Sequence, residues 1–293
     1  MKYRFNGLKS PLWGGLFSPL FSPFSGSALA GSGAAAWSPV TAWFSSGEKG
    51  VVYDLSQLSS LFQDTAGSTP VTADGQTLKR INDLSGNALH ATEATNGPTI
   101  GTDGNGKRYA LFDGTNDRLI TGVCDASAFN KCTIVLGLRK LTDSNEPFVA
   151  LGANATTVGG KMLVAGGEGS VANYSGTLAG DASYSSGRYG SAAAPDTSVI
   201  TVQFDIAGAV VTDEIKLYRN GVAQTRTSGV AGPAGGGNFS STDTLRLGWR
   251  ESASQFGNFW LYAAIVRFST AASSAADIAE AEAWCAARSG VTL

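Results

Sequence analysis

Thr244-Leu245-Arg246-Leu247-Gly248-Trp249-Arg250 and, after a short gap, Phe259-Trp260-Leu261-Tyr262-Ala263-Ala264-Ile265-Val266-Arg267-Phe268 are the two runs that decide the fold. In the first, Leu245, Leu247 and Trp249 alternate with polar or small residues, the period of a strand with one dry face. The second is apolar on both faces, so it has to be covered on both sides, as in a sandwich with a further layer over one sheet. The residues that follow supply that layer. Ser274 stands three residues before Asp277, a capping-box-like start, and Ile278, Ala281 and Cys285 recur at helical spacing until Gly290 ends the helix.

Upstream of this stretch the chain reads as short strands separated by turns. Val51 to Asp54 predicts a strand, and Leu55, Leu58, Leu61 and Phe62 have helix-like spacing over a turn or two. Ala66-Gly67, Asp74-Gly75 and Ser85-Gly86-Asn87 are turn signals, and Ile81 to Thr92 reads as a compact loop. Strands are expected at Tyr109 to Asp113, Cys132 to Leu138, Phe148 to Leu151, Met162 to Ala165 and Ser198 to Asp205, and Asn220-Gly221 marks a hairpin. Many short strands and one terminal helix predict an all-β sandwich.

Composition narrows the function. The chain has 293 residues, 38 glycines, 9 prolines and a net charge of −2, a β-rich make-up with no Lys/Arg cluster, so nucleic acid is not an expected partner. Cys124, Cys132 and Cys285 have neither metal-like spacing nor an even count, and read as small apolar fillers. His90 is the single histidine, which removes every mechanism that needs two imidazoles and leaves a Ser-His-Asp triad possible only with His90 as its base. Ser85 and Asp83 lie in the same loop as His90 rather than on the sharp strand-turn-helix that exposes a nucleophile.

Residues 1–46 differ in kind. Leu16-Phe17-Ser18-Pro19, Leu20-Phe21-Ser22-Pro23 and Phe24-Ser25-Gly26 form a degenerate repeat, and Pro19 and Pro23 disfavour helix. The same prolines interrupt the apolar run that a signal peptide would need, and no uninterrupted run is long enough to span a membrane. An extended arm this apolar is expected to lie on a neighbouring subunit, with Trp13, Phe17, Phe21, Phe24, Trp37 and Trp43 as its anchors and a reach of up to roughly 150 Å. The expected division is thus an anchoring arm, 1–46, and a sandwich domain with a C-terminal helix, 47–293.

Four motifs in order carry a resemblance: Ala110-Leu111-Phe112-Asp113-Gly114-Thr115-Asn116-Asp117, Lys216-Leu217-Tyr218-Arg219-Asn220-Gly221, Leu245 to Gly248, and Ala263 to Ile278. Together they resemble the laminin-G or concanavalin A-like jelly-roll domains over Tyr53 to Gly290. More narrowly, Tyr53 to Asp64, Gly67 to Gln76 and Asp83 to Thr92 look like segments of structural proteins of tailed bacteriophages. That resemblance implies a virion appendage or decoration protein, held to other virion subunits by residues 1–46, homo-oligomeric, and displaying its sandwich for adhesion to host-surface polysaccharide.

In the family, carbohydrate and calcium sites sit on the loops at the sandwich rim. Asp113, Asn116 and Asp117 are the matching positions: they offer oxygen ligands of the kind calcium takes, and equally the side chains that tight turns use to bond their own backbone. Tyr174, Tyr184 and Tyr189 lie in a Gly/Ser-rich segment with Asn173, Asp181 and Arg188, read as long rim loops. Flat rings beside amides and charged groups suit a sugar, and they serve equally to cover loop backbone or a subunit interface. The competing class is a polysaccharide depolymerase. It needs two carboxylates flanking the cleaved bond, and no E-x-D-x-x-E type run is present; Asp213 and Glu214 fall on opposite faces of a strand, and Glu168 and Glu251 have no visible partners. No catalytic residue is therefore assigned.

Overall fold

A computed structural model of the chain describes Met1 and residues 37–293. It is an all-β jelly-roll sandwich with a helix, Ala275–Ser289, laid on one sheet. Within the front sheet the order runs Val222–Ala223, Ile215–Arg219, Asp196–Asp205, Lys131–Lys140, Asn258–Ser269, Arg108–Asp113, Thr99–Thr102. Lys49–Asp54 adds to the far half of Asn258–Ser269, beside the stretch that pairs with Arg108–Asp113, so this longest strand is flanked along its whole length. Its two-sided apolar pattern now has its reason. Phe259, Leu261, Ala264, Val266 and Phe268 enter the core between the sheets, while Ala263 and Ile265 face Ala281, Cys285 and Ala286 of the helix. Ser274 Oγ caps that helix by accepting from the Asp277 amide at 3.1 Å, and Gly290 closes it in the left-handed region. The helix comes close to the sheet at Gly137, where a Cβ would lie 3.0 Å from the Cys285 carbonyl oxygen.

The back sheet is ten-stranded, and its middle is Tyr184–Tyr189, Tyr174–Ala179, Lys161–Gly166, Glu146–Leu151 and Thr244–Leu247. Residues 173–189, expected as rim loops, are instead two antiparallel strands joined by a tight turn, with Tyr174 opposite Tyr189 and Ala179 opposite Tyr184. Their glycines mislead a composition-based reading: Gly176 faces inward where a Cβ would stand 2.8 Å from Ile215 Cγ2, so small size is a packing demand rather than a loop signal. Leu55 to Phe62 likewise forms only one turn of 3-10 helix, Leu58–Ser60, before the short strand Leu61–Phe62.

Two further expectations are corrected. Leu245 and Leu247 are buried, but Gly248 adopts φ 72°, breaking the alternation and turning Trp249 outward into a hairpin, Trp249–Arg250 with Gln255–Phe256. Trp249 there lies between Arg118 and Arg246, whose guanidinium carbons sit 4.9 and 4.8 Å from its ring centre. The arm expected over 1–46 does not include its last ten residues. Pro39–Trp43 is a helical turn, Trp43 is buried against Val52, Ile265 and Cys285, and its carbonyl accepts from Arg267 Nε at 3.0 Å. Trp37 packs edge-on against Trp43 at 6.2 Å. Both tryptophans serve the domain's own packing. Trp13, Phe17, Phe21 and Phe24 lie outside the described residues.

Candidate functional site

The outward face of the back sheet carries the site. Strand alternation sends Val164, Leu178, Tyr174 and Tyr189 into the core and Leu163, Ala165, Ser175, Thr177, Ser186 and Arg188 to the opposite face. Two cross-strand rows form there: Leu163, Thr177 and Ser186 in one, Ala165, Ser175 and Arg188 in the next. Ala165, Ser175, Thr177 and Ser186 among them are small, and they form the floor of an open cavity of about 490 Å³. Tyr184 stands at one wall, Arg250 and Gln255 of the Trp249–Phe256 hairpin at another, and Glu168 and Arg188 at a third. A neighbouring cavity of about 420 Å³ shares Asn145 and Gln255 with the first and reaches Asp113 and Phe256.

Hydrogen bonds hold the walls in place. Asn173 is buried: its Oδ1 accepts from the Glu168 amide at 3.1 Å and its Nδ2 donates to the Glu168 carbonyl at 3.0 Å. Asn145 Oδ1 accepts from the Gly169 amide at 2.8 Å. Glu168 is thereby aimed at Arg188, whose Nη2 donates to its Oε1 at 3.3 Å. Arg250 Nη2 donates to Asn154 Oδ1, also at 3.3 Å, and no carboxylate pairs with Arg250 among the described residues. Both guanidinium groups keep a buried Nε without an acceptor.

Of the six residues expected to meet a glycan, Tyr184 and Arg188 line the cavity and Asn173 shapes it from below. Tyr174 and Tyr189 do not. Tyr174 donates to Asp196 Oδ2 at 2.6 Å inside the sandwich, and burial, with Asp196 beside it, drives its phenol well above the usual range. Tyr189 donates to the Ile215 carbonyl at 2.8 Å, with its phenol pushed up to about 12 by burial. Asp181 lies exposed in the turn between the two strands. Missed by sequence reasoning were Arg250 and Gln255, which reach the cavity only because Gly248 turns the chain, and the hydroxyls of Ser175, Thr177 and Ser186. Their signal was present as the alternate small polar residues Ser175 and Thr177 of one strand and Ser186 of the next.

The calcium candidates close a turn. Asp113 Oδ1 accepts from the Thr115 and Asn116 amides at 2.8 and 3.2 Å, and Asp117 Oδ2 accepts from the Asp113 amide at 3.1 Å. Burial, then the neighbouring Asp113 charge, raises the Asp117 carboxyl to about 6. Among the described residues no group of three His, Cys, Asp or Glu side chains gathers as a metal site would require. The His90 loop is likewise structural: Asp83 accepts from the amides of Val52, Ser85 and Leu89, and its own amide donates to His90 Nδ1 at 3.0 Å. With its Nδ1 taken by a backbone amide, and its pKa lowered by burial and Arg80, His90 anchors the loop rather than serving Ser85 as base.

Fold and groove together define the class, a β-sandwich with an open cavity on one sheet face. No protein-family model matches the chain, and no curated protein matches it. Among solved structures it is similar to the botulinum neurotoxin serotype D binding domain, at 10% identity over 83% of this chain and 52% of that one, with a TM-score of 0.49. A second structure of the serotype D ligand-binding domain, in complex with N-acetylneuraminic acid, matches at 10% identity, TM-score 0.47 and the same coverage. Domain 4 of AbnA, an extracellular arabinanase of Geobacillus stearothermophilus in complex with arabinotriose, matches at 12% identity and TM-score 0.45, over 80% of this chain and 98% of that one. The chain spans about half the length of the neurotoxin binding domains it matches. Among the described residues no helix is long and apolar enough to cross a membrane.

Proposed function

We propose that this chain is a non-catalytic carbohydrate-binding module whose ligand lies in the groove over Ser175, Thr177 and Ser186. The observation that carries the reading is the groove's chemistry. A recessed floor of small hydroxyl side chains meets sugar hydroxyls, the Tyr184 ring offers an apolar wall for a pyranose face, and Arg188 and Arg250 supply fixed donors. A binding rather than a hydrolytic role is supported by the lining, where Glu168 is the single carboxylate of the main cavity among the described residues and is engaged with Arg188. Glycoside hydrolysis calls for a facing pair.

Affinity electrophoresis against a panel of bacterial and plant polysaccharides tests this. The expected result is saturable retardation by at least one of them, lost on Tyr184→Ala with the melting temperature kept, and no release of reducing ends. Retardation unchanged by Tyr184→Ala would remove the groove as the site, and reducing ends released in a carboxylate-dependent way would make the chain a depolymerase. Display on a tailed-phage particle, as a homo-oligomeric appendage or decoration held through the N-terminal residues, belongs to the same proposal. It is supported by the resemblance of Tyr53 to Asp64, Gly67 to Gln76 and Asp83 to Thr92 and by the apolar repeat before residue 37. Outward display of many copies would raise a weak single-site affinity to useful avidity. Cryo-electron microscopy of the parent particle checks it, and density for this sandwich nowhere on the particle would refute it.

A further inference from the structure

The charges of the groove are unbalanced in a way that bears on its ligand. The protein as a whole carries a net charge of −2, yet among the described residues the main cavity is lined by two arginines, Arg188 and Arg250, against one carboxylate, Glu168. That carboxylate engages Arg188 through one bond of 3.3 Å, with both side chains about one third exposed, which leaves most of the Arg188 donors free. Arg250 has only the side-chain amide of Asn154 as partner among the described residues. An arginine fork matches a planar carboxylate in a way that it matches no hydroxyl, since two parallel N–H donors meet two acceptor oxygens.

We infer that the groove selects an acidic glycan, a chain containing uronic or other carboxylated sugars, with the carboxylate held by Arg250 and the pyranose face against Tyr184. This rests on the carbohydrate-binding reading above and specifies its ligand class. The floor hydroxyls of Ser175, Thr177 and Ser186 then serve the neutral hydroxyls of the same sugar. The adjoining cavity, which shares Asn145 and Gln255 with the first, receives the next unit of the chain. Arg250 is the arginine that decides the matter, because Arg188 already has a carboxylate in Glu168.

The test uses the full chain and oligosaccharides of polygalacturonate, alginate and hyaluronan, each beside its carboxyl-reduced form, with dextran as the neutral control and dextran sulfate as the sulfated one. The expected result is binding of at least one acidic oligosaccharide that weakens about tenfold or more on carboxyl reduction and weakens similarly in Arg250→Met. Arg250→Lys keeps the charge without the fork and should fall between the two. Affinity that drops as salt is raised from low to physiological strength provides a readout that needs no variant. Equal binding of the acidic and reduced forms, or an Arg250→Met protein of unchanged melting temperature and unchanged affinity, overturns the inference and leaves the carbohydrate-binding reading standing. Retention by dextran sulfate alone also overturns it, since sulfate and not carboxylate would then be the recognised group. Failure of every sugar, acidic and neutral, removes both readings together.

Discussion

Arg288, in the last turn of the C-terminal helix, donates through Nε to Oδ2 of Asp54 at 2.8 Å, and so ties the helix to the end of the strand Lys49–Asp54. Asp54 is fully buried, while Arg288 is partly exposed with its guanidinium 3.6 Å from the centre of the Trp284 ring. Removing the arginine leaves a buried carboxylate with only the neutral donors of Ser56 and Gln57. Arg288→Ala is therefore expected to cost about 3 kcal/mol in urea unfolding, and Arg288→Lys distinctly less. A loss below about 1 kcal/mol would mean that the pair is a surface ornament.

Residues 37–46 belong to the domain, so truncation should act as a step. A chain that begins at residue 47 lacks the buried Trp43 and the carbonyl to which Arg267 Nε donates, and should be about 3 to 5 kcal/mol less stable than one that begins at residue 37. Trp43→Ala in the full chain should reproduce most of that loss. Equal stability of the two truncations would return Trp43 to the tether.

The three tyrosines should separate by face. Tyr174→Phe strips the hydroxyl that Asp196 accepts inside the sandwich, and is expected to cost about 1 to 2 kcal/mol with glycan affinity unchanged. Tyr189→Phe frees the Ile215 carbonyl and should behave alike. Tyr184→Ala should do the reverse, weakening sugar binding by about tenfold while leaving the melting temperature near that of the parent.

Glu146 gives a pH dependence of defined sign. Its carboxyl is buried, with one oxygen lacking a donor, and burial raises it from an ordinary 4.5 to about 7, with Thr142 and Lys140 acting in the opposite sense and Asp143 adding to the rise. Between those two values the folded protein holds a proton that the unfolded chain has lost. Stability is thus highest below the lower value and falls as pH rises through the window, by about 3 kcal/mol in total. Asp196 and Asp143 have lowered carboxyls whose contribution is lost on acidification, and His90 has a lowered imidazole whose effect opposes that of Glu146. The difference between parent and Glu146→Gln isolates the group: the variant should gain on the parent steadily from about pH 4.5 to 7 and stay level above that. A pH-independent difference would sink the assignment.

What the chain announced locally, it announced well. The two-sided apolar run Phe259 to Phe268, the cap at Ser274 and the stop at Gly290 are short-range patterns, and periodicity alone was enough to place a covered central strand and a helix across it. The same holds for the turn at Asp113 to Asp117, whose side chains bond their own backbone. Which side of a strand a residue faces is another matter, because parity depends on where pairing begins and on which face finds a partner sheet. Tyr174 and Tyr189 sit beside Ser175 and Arg188 in sequence and on the opposite face in space, so residue type could not sort the core tyrosines from the one at the groove. Nor could sequence bring Arg250 into one cavity with Arg188 and Glu168. That meeting needs the left-handed turn at Gly248, the pairing of Thr244–Leu247 with Glu146–Leu151, and three strands of small side chains to leave room beneath. Local order is set by neighbours along the chain, whereas a site made from distant strands exists only once long-range pairing has fixed their register.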